Sequence, residues 1–515
     1  MNLSTTRADG SRPQVAAVGL AALPIVGMLV FAIGMLLGTR PAHVPMLALA
    51  LVTGLLSLVP LLIDQARPPE RRHVFITLLS LSWGLGFALP VFSRYFALGG
   101  YDPSLGPTTL LGMHPADVVN GQLLVLLGFV SLLAGYAAPF GEIAARALPQ
   151  PRRDWSLMGA LAVALVMIPL GWALFLMGQF GLVPRRAGSG VLGVLAATAT
   201  FGIALLMAIY LRYRSRLAFL ILWGAIPPTM GFNFFTGSKG RFFGPLIMVF
   251  LAYLFYERRI RKSWVIAGIA LVTLFYPASE FYRNVLTRSM TVRVLDMIRD
   301  PGTVVKDMAD FASNYEAGEW VEQGLLSTAN RFDGIAILAV ILSKTPEEVP
   351  FQGGWTIGYA FLSFVPRLVW PDKPMVTTGR WVTDNYTLAA GLETATGSTW
   401  IGELYFNFGW LGIGFGMIFV GIIFRTMHEF LFRLGGTIPL LLAAVMLMND
   451  TVRNIGGDLL TLLAGVVFTA LIVGSMHVAV RFLGGVVPAG RIAEPARPAQ
   501  GFAAASAARS RLSPS

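Results

Sequence analysis

The chain has 515 residues, 55% of them hydrophobic and only 13% charged, with a mean hydropathy of +0.68. Soluble domains carry roughly 25% charged residues, so a soluble fold is excluded and a polytopic membrane protein is indicated. Cysteine is absent, which removes disulfides, thiol nucleophiles and cysteine-based metal sites, and the net charge of +12 must be sorted by membrane side before it can suggest nucleic acid.

Apolar segments of crossing length, or close to it, fall at 15–37, 44–63, 74–92, 121–140, 156–178, 191–211, 217–235, 242–256, 264–279, 401–424, 437–449 and 458–480. They predict an all-α protein of about twelve transmembrane helices. The segments at 242–256, 264–279 and 437–449 are short and need flanking residues or a thin membrane. The first is too long for a signal-peptide core and reads as an uncleaved anchor. A further apolar stretch, 332–343, is bounded by Arg331, Asp333 and Lys344. Its length suits a re-entrant or surface helix better than a span.

Arginine and lysine set the orientation. With the N-terminus in the cytoplasm, 22 of the 39 basic residues fall on the cytoplasmic side, and every short cytoplasmic connection is basic. Both termini are then cytoplasmic. The expected division is an N-terminus over 1–14, nine helices over 15–279, a large external loop over 280–400, three helices over 401–484, and a disordered tail over 485–515. That tail is rich in Ala, Pro, Arg and Ser. No phosphate-binding GxxxxGK[ST] or dinucleotide fingerprint is present.

The external loop holds 10 basic and 14 acidic residues, with Trp320, Trp355, Trp370, Trp381 and Trp400. Such aromatics either line the membrane interface or stack on sugars. Residues 293–325 predict an amphipathic surface helix. Pro366, Pro371 and Pro374 oppose a continuous helix near 364–376.

External cations are informative because the positive-inside rule does not account for them. Gly237-Ser238-Lys239-Gly240-Arg241 precedes a helix predicted to start near 242. Glycines permit close backbone approach, and a helix N-terminus favours an anion. Lys239 and Arg241 would add charge-assisted bonds to phosphate oxygens. The alternative is a tight turn whose cations snorkel to lipid headgroups. Arg283, Arg288, Arg331, Arg367, Arg380 and Arg453 extend this set, with Tyr282 beside Arg283. For each arginine the competing assignment is a salt bridge with a nearby carboxylate. Arg453 lies in the polar run Asn449-Asp450-Thr451-Val452-Arg453-Asn454, read as a connection between the last two spans.

For acid–base chemistry the candidates are Glu280, Asp333, Asp384, Glu393 and Glu403. Glu403 stands at the external mouth of a predicted helix, where burial would raise its pKa and make it a usable base. A buried carboxylate paired with an arginine is the other reading. The five histidines, His43, His73, His114, His428 and His477, show no metal-pair spacing, so no zinc site or cofactor is indicated.

Four stretches carry a family likeness. They are Phe235-Thr236-Gly237-Ser238-Lys239-Gly240-Arg241, then Tyr282-Arg283, then Val365-Pro366-Arg367 with Trp370-Pro371-Asp372-Lys373-Pro374, and finally Gly397-Ser398 through Glu403-Leu404-Tyr405-Phe406-Asn407-Phe408-Gly409. In this order they resemble the Wzy-type polysaccharide polymerases, the O-antigen repeat-unit polymerases of bacterial inner membranes. The resemblance implies transfer of a growing glycan from undecaprenyl pyrophosphate to another lipid-linked repeat unit, on the periplasmic face. Its substrates are lipid-linked oligosaccharides within membrane lipid, with a chain-length regulator as an expected partner and no nucleic acid. The pyrophosphate bond is already activated, so neither ATP nor a metal is required. Lys239, Arg241, Tyr282, Arg283, Arg331, Arg367, Arg380, Asn407 and Arg453 are the implied substrate contacts. Glu403, or Asp384, is the implied base. An O-antigen ligase would use a histidine in the large external loop, and residues 280–400 contain none. A flippase or transporter of lipid-linked sugars does not call for so large an external region, and no repeated halves are evident.

Overall fold

The structure, a computed structural model, describes residues 43–97, 114–149, 152–179, 197–234, 239–259, 333–363, 378–387, 395–432, 437–453 and 457–489, with isolated positions between 263 and 313 and at 370. In chain order the elements are α1 (Val44–Gln65), α2 (Val74–Phe87), α3 (Leu89–Ala97), α4 (Pro115–Ala137), α5 (Phe140–Ala147), β1 (Arg153–Trp155), α6 (Leu157–Gln179), α7 (Thr198–Tyr213), α8 (Arg216–Phe234), α9 (Lys239–Glu257), α10 (Gly334–Lys344), α11 (Trp355–Ser363), α12 (Thr378–Tyr386), α13 (Trp400–Phe432), α14 (Ile438–Arg453), α15 (Leu459–Phe482) and β2 (Val486–Pro488).

Eight described helices are long and apolar enough to cross a membrane, counting Val74–Tyr95 across α2 and α3 as one. Two further predicted segments appear as the shorter helices α7 and α14. The segment at 15–37, most of 264–279, and nearly all of the amphipathic stretch 293–325 lie outside the described residues. Local chemistry explains several starts. A proline opens α4, where its missing N–H costs nothing, and the His114 side chain accepts from Ala116 N at 3.3 Å. Asp333 and Asp458 cap α10 and α15 through Ala336 N and Thr461 N, each at 3.0 Å.

Among the described residues the most extensive packing is between α4 and α13, which run parallel, since Gly128, Gly135 and Gly141 face Ile413, Ile418 and Arg425 in the same order. Small residues let their backbones touch. A Cβ on Gly135 would lie 2.0 Å from the Ile418 carbonyl oxygen, and one on Gly421 would lie 2.2 Å from that of Leu132. Helices in lipid associate through such close van der Waals contact, because lipid is as apolar as the side chains. Gly128 and Gly141 continue the seam, facing Ile401 with Ile413 and Arg425, respectively.

Helix α10 bears on the choice between a re-entrant and a surface helix at 332–343. It does not lie on a surface: Gly334 through Ile341 are all buried. It fills the space between α4, α13 and α2. At 11 residues it spans ~16 Å, about half of a hydrocarbon core. Its entry is held by a buried ion pair between Arg94 and Asp333.

The tail also differs from expectation. Residues 486–488 pair antiparallel with 153–155, so the ordered chain runs past 485. Ser156 N–H donates to Gly485 O at 2.7 Å, and Ala489 N–H to Arg152 O at 2.9 Å. Asp154 anchors the ribbon. Its Oδ1 accepts from Ile438 N at 2.9 Å, and its Oδ2 lies 3.3 Å from Arg212 Nε. Period-2 hydropathy cannot announce a strand of three residues, so this ribbon is set by its tertiary anchors.

The Gly135→Ala variant is expected to lose about 1–3 kcal/mol or more, because a backbone oxygen cannot rotate away. Thermal unfolding of detergent-purified protein, compared with a Gly224→Ala variant whose added Cβ meets nothing within 4 Å, measures the difference.

Candidate functional site

A break in α13 builds the site. Gly409 has φ 67° and ψ −160°, a backbone open to glycine and strained for other residues. It divides α13 into a short arm, Trp400–Phe408, and a long rod, 410–432. The short arm starts behind Thr399, itself left-handed at φ 61°. The Thr399 hydroxyl accepts from Gly402 N at 3.0 Å and so caps the arm.

The break leaves carbonyls without helical donors. Those of Phe406 and Asn407 accept from Gln352 N at 2.8 Å and Gly353 N at 3.2 Å. The Asn407 side chain is buried and occupied on both ends. Its Oδ1 accepts from Gly354 N at 2.9 Å; its Nδ2 donates to Thr356 Oγ1 at 2.7 Å and to Glu403 O at 2.8 Å. Asn407, implied above as a substrate contact, positions the 352–356 turn through these bonds. Gly353 and Gly354 take φ 62° and 89°, and the Phe408 ring sits 2.6 Å from where a Gly354 Cβ would stand.

Glu403 lies inside the short arm with 0% exposure. Its Oε2 accepts from Leu459 N at 2.6 Å, at the first residue of α15. A carboxylate there meets one of the orphan donors of a helix start and the positive end of its dipole. Glu403 thus joins α13 to the start of α15, across the intervening α14. Asp333, another acid considered as a base, is committed to Arg94 and to capping α10.

Other expected residues are placed as follows. Trp381 and Tyr386 of α12 pack on Phe406, with ring centroids 5.0 Å and 6.3 Å away. Burial pushes the Tyr386 hydroxyl up to about 12, so it stays protonated in its 2.6 Å bond with Thr345. Arg380 and Asp384 lie on the opposite, exposed side of α12 and pair with each other at 3.9 Å. Such a surface pair adds little stability, and it leaves Asp384 apart from Glu403. Helix α9 begins at Lys239, so Lys239 and Arg241 occupy its first turn rather than the preceding loop. Cations oppose the dipole there, so helix stability does not explain them. Arg453 is the last residue of α14, not part of a loop, and Asn449, Asp450 and Thr451 are helical before it. Asn449 and Thr451 are buried within this helix, and the Thr451 hydroxyl is satisfied by Leu447 O at 2.8 Å. Tyr282, Arg283, Arg331, Arg367, Glu280 and Glu393 lie outside the described residues.

Chemically, the arrangement offers a buried carboxylate on the short arm of a broken helix, bonded to the start of α15. Sequence reasoning singled out Glu403 but missed Arg94 and the hinge at Gly409. A glycine directly after an aromatic–amide run was the available signal for the hinge.

Asn407→Ala should destabilise the protein by about 1–3 kcal/mol, because Gly354 N and Thr356 Oγ1 lose a buried partner. Asn407→Asp keeps the acceptor for Gly354 N but turns a carboxylate oxygen toward Glu403 O in a buried site, so it should be no more stable than Asn407→Ala in the same thermal unfolding measurement.

No curated protein and no solved structure matches the chain. One family model, described as a domain of unknown function (DUF8712), matches residues 118–447. That match runs from the start of α4 to α14 and contains the whole α4–α13 seam with Glu403. The chain belongs to this DUF8712 family.

Proposed function

We propose that the protein is a Wzy-type polymerase that joins undecaprenyl-pyrophosphate-linked oligosaccharide repeat units on the periplasmic face of a bacterial inner membrane. In this reading it has about twelve spans and cytoplasmic termini, and Glu403 lies toward the periplasm. The observation that carries it is the fully buried Glu403 carboxylate on the short arm of a helix broken at Gly409. Irregular backbone within a bundle is tolerated where it is enclosed by protein or lines a cavity, and intramembrane carboxylates mark substrate paths.

The reaction follows from these parts. Glu403 accepts the proton of an acceptor sugar hydroxyl. The hydroxyl oxygen bonds to the anomeric carbon of the growing glycan. The bond from that carbon to the pyrophosphate oxygen breaks, and undecaprenyl pyrophosphate leaves with the electron pair. Lys239, Arg241 and Arg283 offset the developing charge on the leaving group. Two cations in the first turn of α9, placed against its dipole, support this role.

Glu403→Gln is the decisive variant. The amide oxygen still accepts from Leu459 N, so the fold persists while the base is lost. With lipid-linked repeat units as substrate, chain extension should fall by about two orders of magnitude or more. Near-normal extension would reassign Glu403 to structure. Arg241→Ala should abolish long chains in cells while leaving single repeat units attached to the surface. Loss of every unit would instead indicate a ligase or flippase.

A further inference from the structure

The opposite end of the α4–α13 seam holds a second polar cluster, in which residues far apart in sequence meet. His73 precedes α2 as its N-cap, and His428 lies in the last turns of α13. Their rings stack with centroids 4.5 Å apart and planes 23° apart. Glu429 follows His428. One ring nitrogen of each histidine and one Glu429 carboxylate oxygen lie within 4.8 Å of one another.

We propose that His73, His428 and Glu429 form a binding site for one divalent transition-metal ion of the zinc class. Two imidazoles and one carboxylate are a zinc-type donor set, and three protein ligands leave a fourth position for water. A second observation points to a ligand. His428 Nδ1 is buried and has no hydrogen-bond partner among the described residues, and His428 is only 6% exposed. A buried ring nitrogen left in this way is costly unless something occupies it. The Tyr136 hydroxyl lies 2.9 Å from His73 Nδ1, while the Arg425 guanidinium lies 3.0 Å from Nδ1 and 3.5 Å from Nε2, so an ion at Nε2 takes the place of the guanidinium. An oxygen partner such as the Tyr136 hydroxyl orients ligating histidines.

Arg425 is the competitor. Its guanidinium lies 3.0 Å from Glu429, 3.0 Å from His73 Nδ1, and against Glu142. Tetrahedral donors at zinc–nitrogen distances of ~2.0–2.1 Å stand roughly 3.3 Å apart. For the three donors to close on one ion, Arg425 must release both Glu429 and His73 and remain on Glu142. Side-chain rotation of Glu429, which is partly exposed, then brings its oxygen in. The ion would tie the start of α2 to the end of α13, through residues 355 positions apart. This inference is independent of the polymerase reading.

The test uses tag-free, full-length protein in detergent, stripped with chelator and re-equilibrated with Zn²⁺ alone. Elemental analysis should return close to one zinc per chain. Co²⁺ should give the visible absorption of a tetrahedral nitrogen–oxygen site. Glu429→Gln and His428→Gln should lose both signals while remaining monodisperse. Tyr136→Phe should weaken binding roughly 10–100-fold. Arg425→Gln should tighten it, because a competing cation is gone. Well under one zinc per wild-type chain would overturn the site. So would equal retention by wild type, Glu429→Gln and His428→Gln, which would mean adventitious metal only. Should His428→Gln fail to fold, Glu429→Gln and Arg425→Gln, with opposite expected shifts, decide the matter.

Discussion

The backbone contact between α4 and α13 is the constraint on which the other features depend. At Gly135 and Gly421 there is no space for a single methyl group. Tight apposition fixes both the rotation and the axial register of the two helices. At one end that register sets Ile401 against Gly128 and so carries the short arm with Glu403 into the bundle. At the other it sets Arg425 over Gly141 and brings His428 to His73 and Tyr136. Both polar clusters are thus consequences of one seam of small residues, which lipid rewards through packing rather than through the hydrophobic effect.

Short elements then fill what the long helices leave. Helix α10 and the arm Trp400–Phe408 are each too short to cross a membrane, and both are enclosed by protein. That enclosure is required, because a helix ending inside a bundle exposes unpaired carbonyls and N–H groups. Each end is answered by a named partner. Gln352 and Gly353 serve the carbonyls of the arm, Asp333 serves the start of α10, and Glu403 serves the start of α15. Glu403 is therefore a structural anion as well as the proposed base. A glutamine at this position separates the two roles, since an amide oxygen accepts a hydrogen bond but takes up no proton at neutral pH.

Much of the fold was legible in sequence because hydropathy reports burial in lipid directly. Eight of the predicted segments return as long helices, and α7 and α14 return as shorter ones. Glu403 was also legible, as a rare carboxylate at a helix mouth. What was not legible has a common cause. Asn407 was implied as a substrate contact by the family likeness alone, and nothing in the chain order shows that Gly354 and Thr356, some 50 residues away, hold its side chain. Arg453 looked like a loop residue because Asn, Asp and Thr favour turns, yet Asn449 and Thr451 are buried by packing and the helix runs through them.

Composition and charge alone determined that this chain is apolar enough to fill a membrane, poor in charge, free of cysteine, and basic at alternate connections. Those properties depend only on which residues are present and on their short-range order. Tertiary structure decided which polar groups meet. It paired Arg94 with Asp333 across 239 positions, and it set Glu403 on the start of α15. It also stacked His73 on His428, although no spacing in the chain announces a metal pair. A buried charge finds its partner through helix register, and that register is set by backbone contacts that no periodicity in the sequence encodes.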